Sequence, residues 1–343
     1  MPKPRTPEPS RPPRRHRWLF RFSILNLIAF LLIYAAAEFV AEDHWFTTGL
    51  VYAPPLLFAI PALLFLLIAL LRRNRRAISV NLVATLAALP FLGFQWHPLP
   101  VSTDSPKLRV LTFNILHGVD GVPEIVEVLK DADADIICLQ EAKILPKRAN
   151  DPLPELKEAL PEYEFVRAGD VAIASRLPVL ETREFPMPYS ARKGLVMDVY
   201  WKGSTVTVTG VHFSSAAGIS SLWKSRRRLP AYMDNAARMR RHHAGALLRE
   251  TREIKTPLIV LGDFNTPPRG KIYDSLTERW QDAFAATGNG FGWTFPAVFP
   301  VLRIDHVFTG NGARAVRAEQ IEVNCSDHDA MLAEVVISPA RNR

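Results

Sequence analysis

The sequence predicts an α+β protein: one layered domain of sheet and helices from residue 107 to the C-terminus, preceded by three transmembrane helices. Two observations predict this fold class. The first is a series of three long apolar stretches before residue 97. The second is the interleaving of short β-like runs with helical patterns after residue 107, which is typical of one sizeable layered domain. No internal repeat is evident.

The N-terminal third begins with a tail and continues as apolar segments. Residues 1–17 are rich in Pro and Arg and have little to bury, which predicts a disordered basic tail. Residues 18–40, 49–71 and 77–96 are apolar, and roughly 20 such residues span a ~30 Å hydrocarbon core. The second stretch contains Pro54, Pro55 and Pro61, which predict a kinked helix of a kind that membranes tolerate.

Arginines that flank these stretches predict their orientation, because Lys and Arg near helix ends resist translocation. Five arginines between Arg11 and Arg21 precede or begin the first stretch, and four between Arg72 and Arg76 connect the second to the third. The loop 41–48 has none. The tail is therefore predicted to be cytoplasmic and the C-terminal domain extracytoplasmic, in the periplasm or at the cell surface. Alternatively the first stretch is a cleaved signal peptide, which would leave the domain on the same side.

Charge and cysteine content exclude several function classes. Of 42 Lys and Arg and 34 Asp and Glu, eleven and four lie up to Trp96, which leaves 31 and 30 in the remainder. The C-terminal part is therefore nearly neutral and lacks the broad positive field that gathers polyanions. Two cysteines, Cys138 and Cys325, provide neither a disulfide scaffold nor a cysteine zinc site.

The C-terminal part follows a proline-containing linker at residues 97–106. Helical patterns cover residues 123–129 and 236–253. The β-like runs are residues 108–115, 136–139, 171–174, 195–200, 205–212, 258–261, 304–308 and 330–337.

Polar residues interrupt or end these apolar runs at positions where they have no evident structural role. The ends of strands are also where segments distant in sequence converge on a functional site. Each alone is explained by a solvated strand end, a buried hydrogen bond or a turn. Together, carboxylate and amide oxygens suit Mg²⁺ or Mn²⁺, while histidine with carboxylate supplies acid–base capacity for attack by water. The residues are Asn114, Glu141, His212, Asp263, Asn265, Asp305, Asp327 and His328.

The ordered motifs resemble the endonuclease/exonuclease/phosphatase superfamily, which includes deoxyribonuclease I and neutral sphingomyelinases. The resemblance covers residues 107–338 and implies a four-layer α/β/β/α sandwich, deoxyribonuclease-I-like, with metal-dependent phosphoesterase activity. The matching segments are T-F-N-I-L, L-Q-E, A-S-R-L-P-V, V-H-F, G-D-F-N, R-I-D-H-V-F and S-D-H-D-A.

The same resemblance implies a metal site. Glu141 resembles the principal ligand of Mg²⁺ or Mn²⁺, assisted by Asn114 and, from the other side, by Asp327.

The resemblance also implies catalytic roles. Asp263 would orient or deprotonate the attacking water, and Asn265 would hold the phosphate. His212 and His328 would contact the phosphoryl oxygens, with Asp305 fixing the ring of His328. The carboxylate partner of His212 stays open, with Asp170 as the one candidate.

Substrate class is the least determined feature. Trp293, shortly before R-I-D-H, is expected to contact substrate, with ordinary packing as its alternative. The basic stretch 223–243 fits a nucleic-acid backbone, anionic lipid headgroups or a solvated helix face. We expect a membrane-anchored phosphodiesterase or phosphatase acting on a lipid headgroup, with the bilayer as partner and no obligate protein partner. The alternatives are a tethered extracytoplasmic nuclease and an inactive scaffold.

Overall fold

The computed structural model describes residues 17–99, 101, 103–143, 151–215 and 228–338. They divide into two compact units, residues 17–34 with 56–89, and residues 35–55 with 90–338. The second unit contains two six-stranded sheets with helices outside them, so the predicted four-layer sandwich is confirmed.

The described residues include nine α-helices and twelve strands. The helices are α1 Arg17–Ala35, α2 Trp45–Tyr52, α3 Leu56–Leu71, α4 Arg75–Phe91, α5 Val122–Ala132, α6 Pro152–Ala159, α7 Leu229–Glu250, α8 Gly270–Thr277 and α9 Ala283–Thr287. The strands are β1 Lys107–Asn114, β2 Ile136–Gln140, β3 Glu164–Ala168, β4 Val171–Ser175, β5 Val179–Pro186, β6 Lys193–Trp201, β7 Ser204–His212, β8 Leu258–Asp263, β9 Gln281–Asp282, β10 Asp305–Gly310, β11 Ala313–Ile321 and β12 Ala330–Ile337.

The prediction of three transmembrane helices is wrong. Within the described residues, one helical stretch, Arg17–Asp43, is long and apolar enough to cross a membrane. A second exists only if α2 and α3 count as one broken span, and these helices meet at a 67° bend. Pro54 and Pro55 cause the break, because proline lacks the N–H that would continue a helix. Helix α4 ends at Phe91, short of the predicted end at residue 96.

The first sheet has the order β11-β12-β1-β2-β4-β3. Strands β1 and β2 are parallel, and Asn114 lies opposite Gln140, so the residue after β2, Glu141, lies at the same sheet edge. Strand β12 runs antiparallel to β1, with Met331 opposite Thr112, so Asp327 and His328 lie just before β12 at that edge.

The second sheet has the order β5-β6-β7-β8-β10-β9. Strands β7 and β8 are parallel with His212 opposite Asp263, and β10 is antiparallel to β8 with Asp305 opposite Asp263. Register alone therefore brings these three side chains to adjacent positions at one edge.

The two sheets pack face to face through alternate residues of their strands. In β6, Leu195, Met197 and Val199 face the other sheet while Val196 faces the outer helices, as a period of two requires. The sheets approach closely at Gly210, where an added Cβ would lie 2.7 Å from Sγ of Cys138. A larger residue there would force the sheets apart.

Amphipathic helices cover both outer faces. Helix α5 begins with Pro123 in its first turn, buries Ile125, Val126 and Leu129 against the first sheet, and ends at Asp133 in the left-handed conformation. Helices α7 and α8 bury Leu247, Ile272 and Leu276 against the second sheet.

Candidate active site

The polar residues at the strand ends gather at one edge of the sandwich, where three hydrogen bonds join the first sheet to the second. Asn114 Nδ2 donates to Asp263 Oδ2 at 3.1 Å. His212 Nδ1 lies 2.9 Å from Asp170 Oδ2, and His328 Nδ1 lies 2.8 Å from Asp305 Oδ2. The site is therefore built from both sheets, and neither sheet holds a complete pair.

Asp263 lies at the centre of this cluster. Its side chain is buried, and it accepts hydrogen bonds from the main-chain N–H and the side-chain amide of Asn265 at 2.8 and 2.9 Å. Burial alone would raise its pKa, but the charge of His328 and the hydrogen bond from His212 hold the pKa well below its usual range. Asp263 is therefore an ionised carboxylate at neutral pH.

His328 is held by a buried acid. Its Nδ1 meets Asp305, its main-chain N–H donates to Ser326 Oγ, and its Nε2 lies 3.9 Å from Asp263 Oδ2. Burial lowers the pKa of His328, but the charges of Asp305 and Asp263 outweigh burial and raise the pKa to about 10. The ring is thus an imidazolium donor at neutral pH.

His212 is held by an acid that has further cationic neighbours. Arg192 Nη1 lies 2.7 Å from Asp170 Oδ2 and also contacts Nδ1 of His212, and Lys143 Nζ lies 4.0 Å from the same oxygen. Although burial raises the pKa of Asp170, the hydrogen bond from His212 and the nearby cations lower it to about 2. The pKa of His212 is raised, since its hydrogen bonds to Asp170 and Asp263 outweigh burial.

The predicted metal ligands Asn114, Glu141 and Asp327 supply oxygen donors of the type that Mg²⁺ and Mn²⁺ prefer. Oδ1 of Asp327 is buried without a hydrogen-bond partner among the described residues. Burial raises the pKa of Asp327, and the negative charges of Glu141 and Asp263 raise it further. Such crowding of like charges around an unsatisfied oxygen fits a divalent cation.

A second group of donors has the spacing of a metal site. Donor atoms of Asp263, Asp305 and His328 all lie within 4.8 Å of one another. Nδ1 of His328 already bonds Asp305, and both oxygens of Asp263 accept hydrogen bonds from amides. These internal bonds favour an acid–base group here, and the assignment of Asn114, Glu141 and Asp327 as metal ligands stays a prediction.

Backbone strain marks two predicted residues. Glu141 and Asn265 have φ angles of 58° and 48°, in the left-handed region that non-glycine residues seldom adopt. Such conformations cost roughly 1–2 kcal/mol per residue and cluster at functional sites. Here each aims a polar side chain that the preceding strand, β2 or β8, would otherwise direct elsewhere.

Trp293 has packing contacts of its own, and its predicted contact with substrate stays a prediction. Its indole stacks on Phe291 at 4.3 Å and donates to the carbonyl oxygen of Leu92 at 3.1 Å, which explains its burial as packing. The aromatic ring beside the site is Phe295, whose centroid lies 4.8 Å from that of His328.

Within the described part of the basic stretch 223–243, two arginines make contacts inside the protein. Residues 223–227 lie outside the described part of the chain. Among those described, Arg240 is buried and Arg241 pairs with Asp43 at 3.1 Å. Arg238 is exposed and bonds Asn235 on its own helix.

Two residues that contact the site, Arg192 and His117, are not among those that the sequence predicts. Arg192 lies in the turn before β6, and its role depends on a contact with Asp170 across the sheets. His117 Nε2 lies 2.9 Å from Oε2 of Glu141, although the T-F-N-I-L motif just before it was a usable signal. The sequence leaves the partner of His212 open, and the structure places Asp170 there.

Known proteins match this architecture. A family model described as the Endonuclease/Exonuclease/phosphatase family matches residues 111–328. No curated protein sequence matches the chain.

Similar solved structures include humanized D. rerio TDP2 with 14 mutations, at 17% identity and a TM-score of 0.54, covering 67% of this chain and 98% of that chain. A Bacteroides thetaiotaomicron mannosyl-6-phosphatase has 19% identity and a TM-score of 0.54, with 67% and 100% covered. The human Nocturnin catalytic domain has 17% identity and a TM-score of 0.52, with 70% and 97% covered.

Proposed function

The chain belongs to the endonuclease/exonuclease/phosphatase family, and on that basis we propose a membrane-anchored, divalent-metal-dependent phosphoesterase that acts outside the cytoplasm. The observation that carries the catalytic part is the convergence of two histidine–aspartate pairs on one ionised carboxylate, Asp263. An inactive scaffold would have no need to hold such a costly set of buried charges.

One residue of the site acts on the attacking water and the others bind the phosphate. Asp263 accepts a hydrogen bond from the attacking water and orients it or takes its proton. Asn265 binds a phosphate oxygen. Protonated His328 donates to a phosphoryl oxygen as negative charge develops there, and His212 donates to a second one.

Asn114, Glu141 and Asp327 would hold Mg²⁺ or Mn²⁺. A cation bound there would neutralise charge on the phosphoryl group and its leaving oxygen. His117 fixes one oxygen of Glu141, which leaves the other free for the cation.

Exposed apolar side chains beside the site favour a membrane lipid headgroup as substrate. Val298 and Phe299 are 97% and 69% exposed, and they lie between Phe295, which contacts His328, and the start of β10. Ala297, at the start of this loop, donates from its main chain to the carbonyl oxygen of Asp327. Adjacent apolar side chains in this position would rest against lipid while the site faces a headgroup.

The membrane anchor is residues 18–40 of the helical stretch Arg17–Asp43, with the N-terminus in the cytoplasm and the catalytic unit outside. A reporter fused after Arg343 should be active only outside the cytoplasm. A reporter that is active only inside would overturn this orientation.

A tethered nuclease is the second candidate. One structure of D. rerio TDP2, at 17% identity, is complexed with a single-strand DNA product, so this fold accommodates a phosphodiester of nucleic acid. The exposed Arg238 offers a positive charge for such a backbone.

The test is hydrolysis by the full-length protein in liposomes, with Mg²⁺ or Mn²⁺ and a panel of phospholipids, sphingomyelin, inositol phosphates, DNA and RNA. We expect turnover of a lipid headgroup, lost on chelation and reduced ~10²-fold or more in Glu141→Gln. Glu127→Gln, an exposed glutamate on α5, is the control and should retain full activity. Turnover of DNA with no lipid hydrolysed would favour the nuclease, and activity that survives both chelation and Glu141→Gln would refute the metal-dependent mechanism.

A further inference from the structure

We propose that residues 41–53, which connect the first apolar helix to α3, are a working part of the catalytic unit. Through Arg269 and Arg240 they position the two chain segments that follow β7 and β8, residues 213–215 and 264–269. The reaction rates expected below rest on the proposed function. The structural content of the inference, that this connection holds the active-site segments in place, is independent of the substrate.

Arg269 joins the connection to the segment after β8. Its guanidinium is buried and donates from Nε to Val51 O at 2.7 Å and from Nη2 to Ala53 O at 2.9 Å. A third bond goes from Nη1 to Phe91 O at 3.0 Å, and the guanidinium lies over the Phe91 ring. Burial lowers the pKa of Arg269 to about 10, and no carboxylate bonds it among the described residues.

Three bonds to main-chain carbonyls are difficult to replace, because the bonds to Val51 and Phe91 are buried and their carbonyls would otherwise lose this donor. Arg269 therefore fixes the end of the G-D-F-N-T-P-P-R segment to the connection. Asn265, in the same segment, carries the phosphate-binding role and a strained backbone. A segment that holds strain needs anchoring at its far end as well as at Asp263.

Glu42 adds a second contact just beyond Arg269. Its buried carboxylate accepts a hydrogen bond from the main-chain N–H of Lys271 at 2.9 Å, at the N-terminus of α8. A carboxylate in this position satisfies a free N–H and interacts favourably with the helix dipole. Gly270 permits the approach, since it has a φ of 82° and an added Cβ would lie 2.7 Å from Oε1 of Glu42.

Arg240 joins the connection to the segment after β7. Its guanidinium is fully buried and lies 3.9 Å from the centre of the Tyr52 ring. Nη1 of Arg240 donates to Ser214 O at 3.5 Å, and Ser214 N donates to His243 Nδ1 at 3.2 Å. Ser214 is two residues from His212, so the Tyr52–Arg240 contact fixes the chain directly behind that histidine.

The two routes meet inside the site. Asn265 Nδ2 donates to Phe213 O at 3.2 Å and to Asp263 Oδ2 at 2.9 Å. A shift of either segment therefore changes the position of Asn265 relative to His212 and Asp263. Misplacement by about 1 Å can cost ~10²-fold in rate, so a contact at Tyr52 or Val51 acts on catalysis without meeting substrate.

The experiment compares Arg269→Met and Tyr52→Leu with wild type in the full-length protein. Arg279→Met is the control, because Arg279 also donates to one carbonyl, that of Arg252, but lies on the surface. Single-turnover rate constants are measured with bis(p-nitrophenyl) phosphate and p-nitrophenyl phosphate. We expect both variants to react ~10-fold or more slowly per folded molecule, with KM changed much less, and Arg269→Lys to recover part of the rate. Arg279→Met should match wild type.

Hydrogen–deuterium exchange provides the readout that needs no substrate. We expect faster exchange of the amides at 213–215 and 264–270 in both variants, with the amides of β1 unchanged. A lower reaction amplitude at an unchanged rate constant would assign these residues to stability alone and overturn the proposal. Unchanged exchange in Tyr52→Leu and Arg269→Met would also overturn it. A wild-type protein that hydrolyses no phosphoester would refute the proposed function, while the exchange data would still decide this inference.

Discussion

His212 and His328 occupy matching positions on opposite sides of Asp263. Each has Nδ1 on an aspartate of the other sheet and Nε2 toward the same Asp263 oxygen, at 3.4 and 3.9 Å. Their aspartates differ. Asp170 is shared with Arg192, whereas Asp305 contacts His328 as its one cationic partner among the described residues.

Because of that difference, the two histidine–aspartate pairs keep their charges in different ways. Asp170 is balanced by several positive charges, so its pKa is lowered, to about 2, and its charge does not depend on His212 alone. Burial raises the pKa of Asp305, so its ionised state depends on the positive charge of His328. The His328–Asp305 pair therefore keeps one proton between two buried groups, whereas His212 is oriented within a larger charge network.

The largest expected effect comes from removing each histidine. His328→Gln and His212→Gln should each reduce kcat by ~10²–10⁴-fold, because each removes a donor to the developing charge. His328→Gln should cost more, since it also leaves Asp305 buried without a cation. Steady-state rates with bis(p-nitrophenyl) phosphate provide the measurement. His242→Gln, an exposed histidine on α7, is the control, and a larger loss in His212→Gln would reverse our ranking.

Replacing the two aspartates should show the difference between the two histidine–aspartate pairs as different losses of kcat. Asp305→Asn should reduce kcat by ~10²-fold, because His328 then loses the charge that keeps it protonated. Asp170→Asn should cost about tenfold, because Oδ2 of Asp263 lies nearer to Nε2 of His212, at 3.4 Å, than to Nε2 of His328, at 3.9 Å. Equal losses in the two variants would show that Arg192 contributes nothing to the distinction.

A smaller effect is expected from Arg192→Met, which makes the two pairs more alike. Removing a cation from a partly buried ion pair should lower the free energy of unfolding by about 1–3 kcal/mol and reduce kcat by less than ~10-fold. Thermal unfolding and kinetics on the same sample separate the two effects. Arg183→Met, whose partner Glu250 is more exposed, should leave both quantities nearly unchanged.

His243 extends the comparison to a histidine that bonds no acid. Burial lowers its pKa to about 4, although its bond to Pro188 O opposes this. The unfolded chain therefore takes up a proton near pH 6.5 that the folded chain takes up only near pH 4. Stability should fall as pH decreases between these values and level off below. Unfolding midpoints of wild type and His243→Gln should converge with this pH change, and parallel curves would contradict the assignment.

Much of the sandwich could be predicted from the sequence, because buried strands are continuous apolar runs. All eight predicted runs overlap strands, and polar residues at their ends converge because register is fixed by burial. Strand β5 could not be predicted. It is an edge strand whose residues, such as Glu181 and Glu184, are exposed, so it lacks apolar alternation.

The membrane part and the outer contacts of the site were harder to predict. Composition measures how apolar a segment is, and it cannot show that α2 packs on the catalytic unit through Arg269 and Val51, which are far apart in sequence. Trp293 illustrates the same limit within the site. Its partner, the carbonyl of Leu92, is a main-chain group that no pattern of side chains can identify.

Gly210 affects the spacing between the two sheets, which the catalytic motifs do not specify. Since every pair joins one sheet to the other, the gap between the sheets sets the distances at which Asp170 meets His212 and Asp305 meets His328. The absence of a side chain at residue 210, against Cys138, allows that gap. A related sequence with every motif residue but a bulkier residue at this position would therefore be expected to lack phosphoesterase activity, although its motifs would identify it as an enzyme.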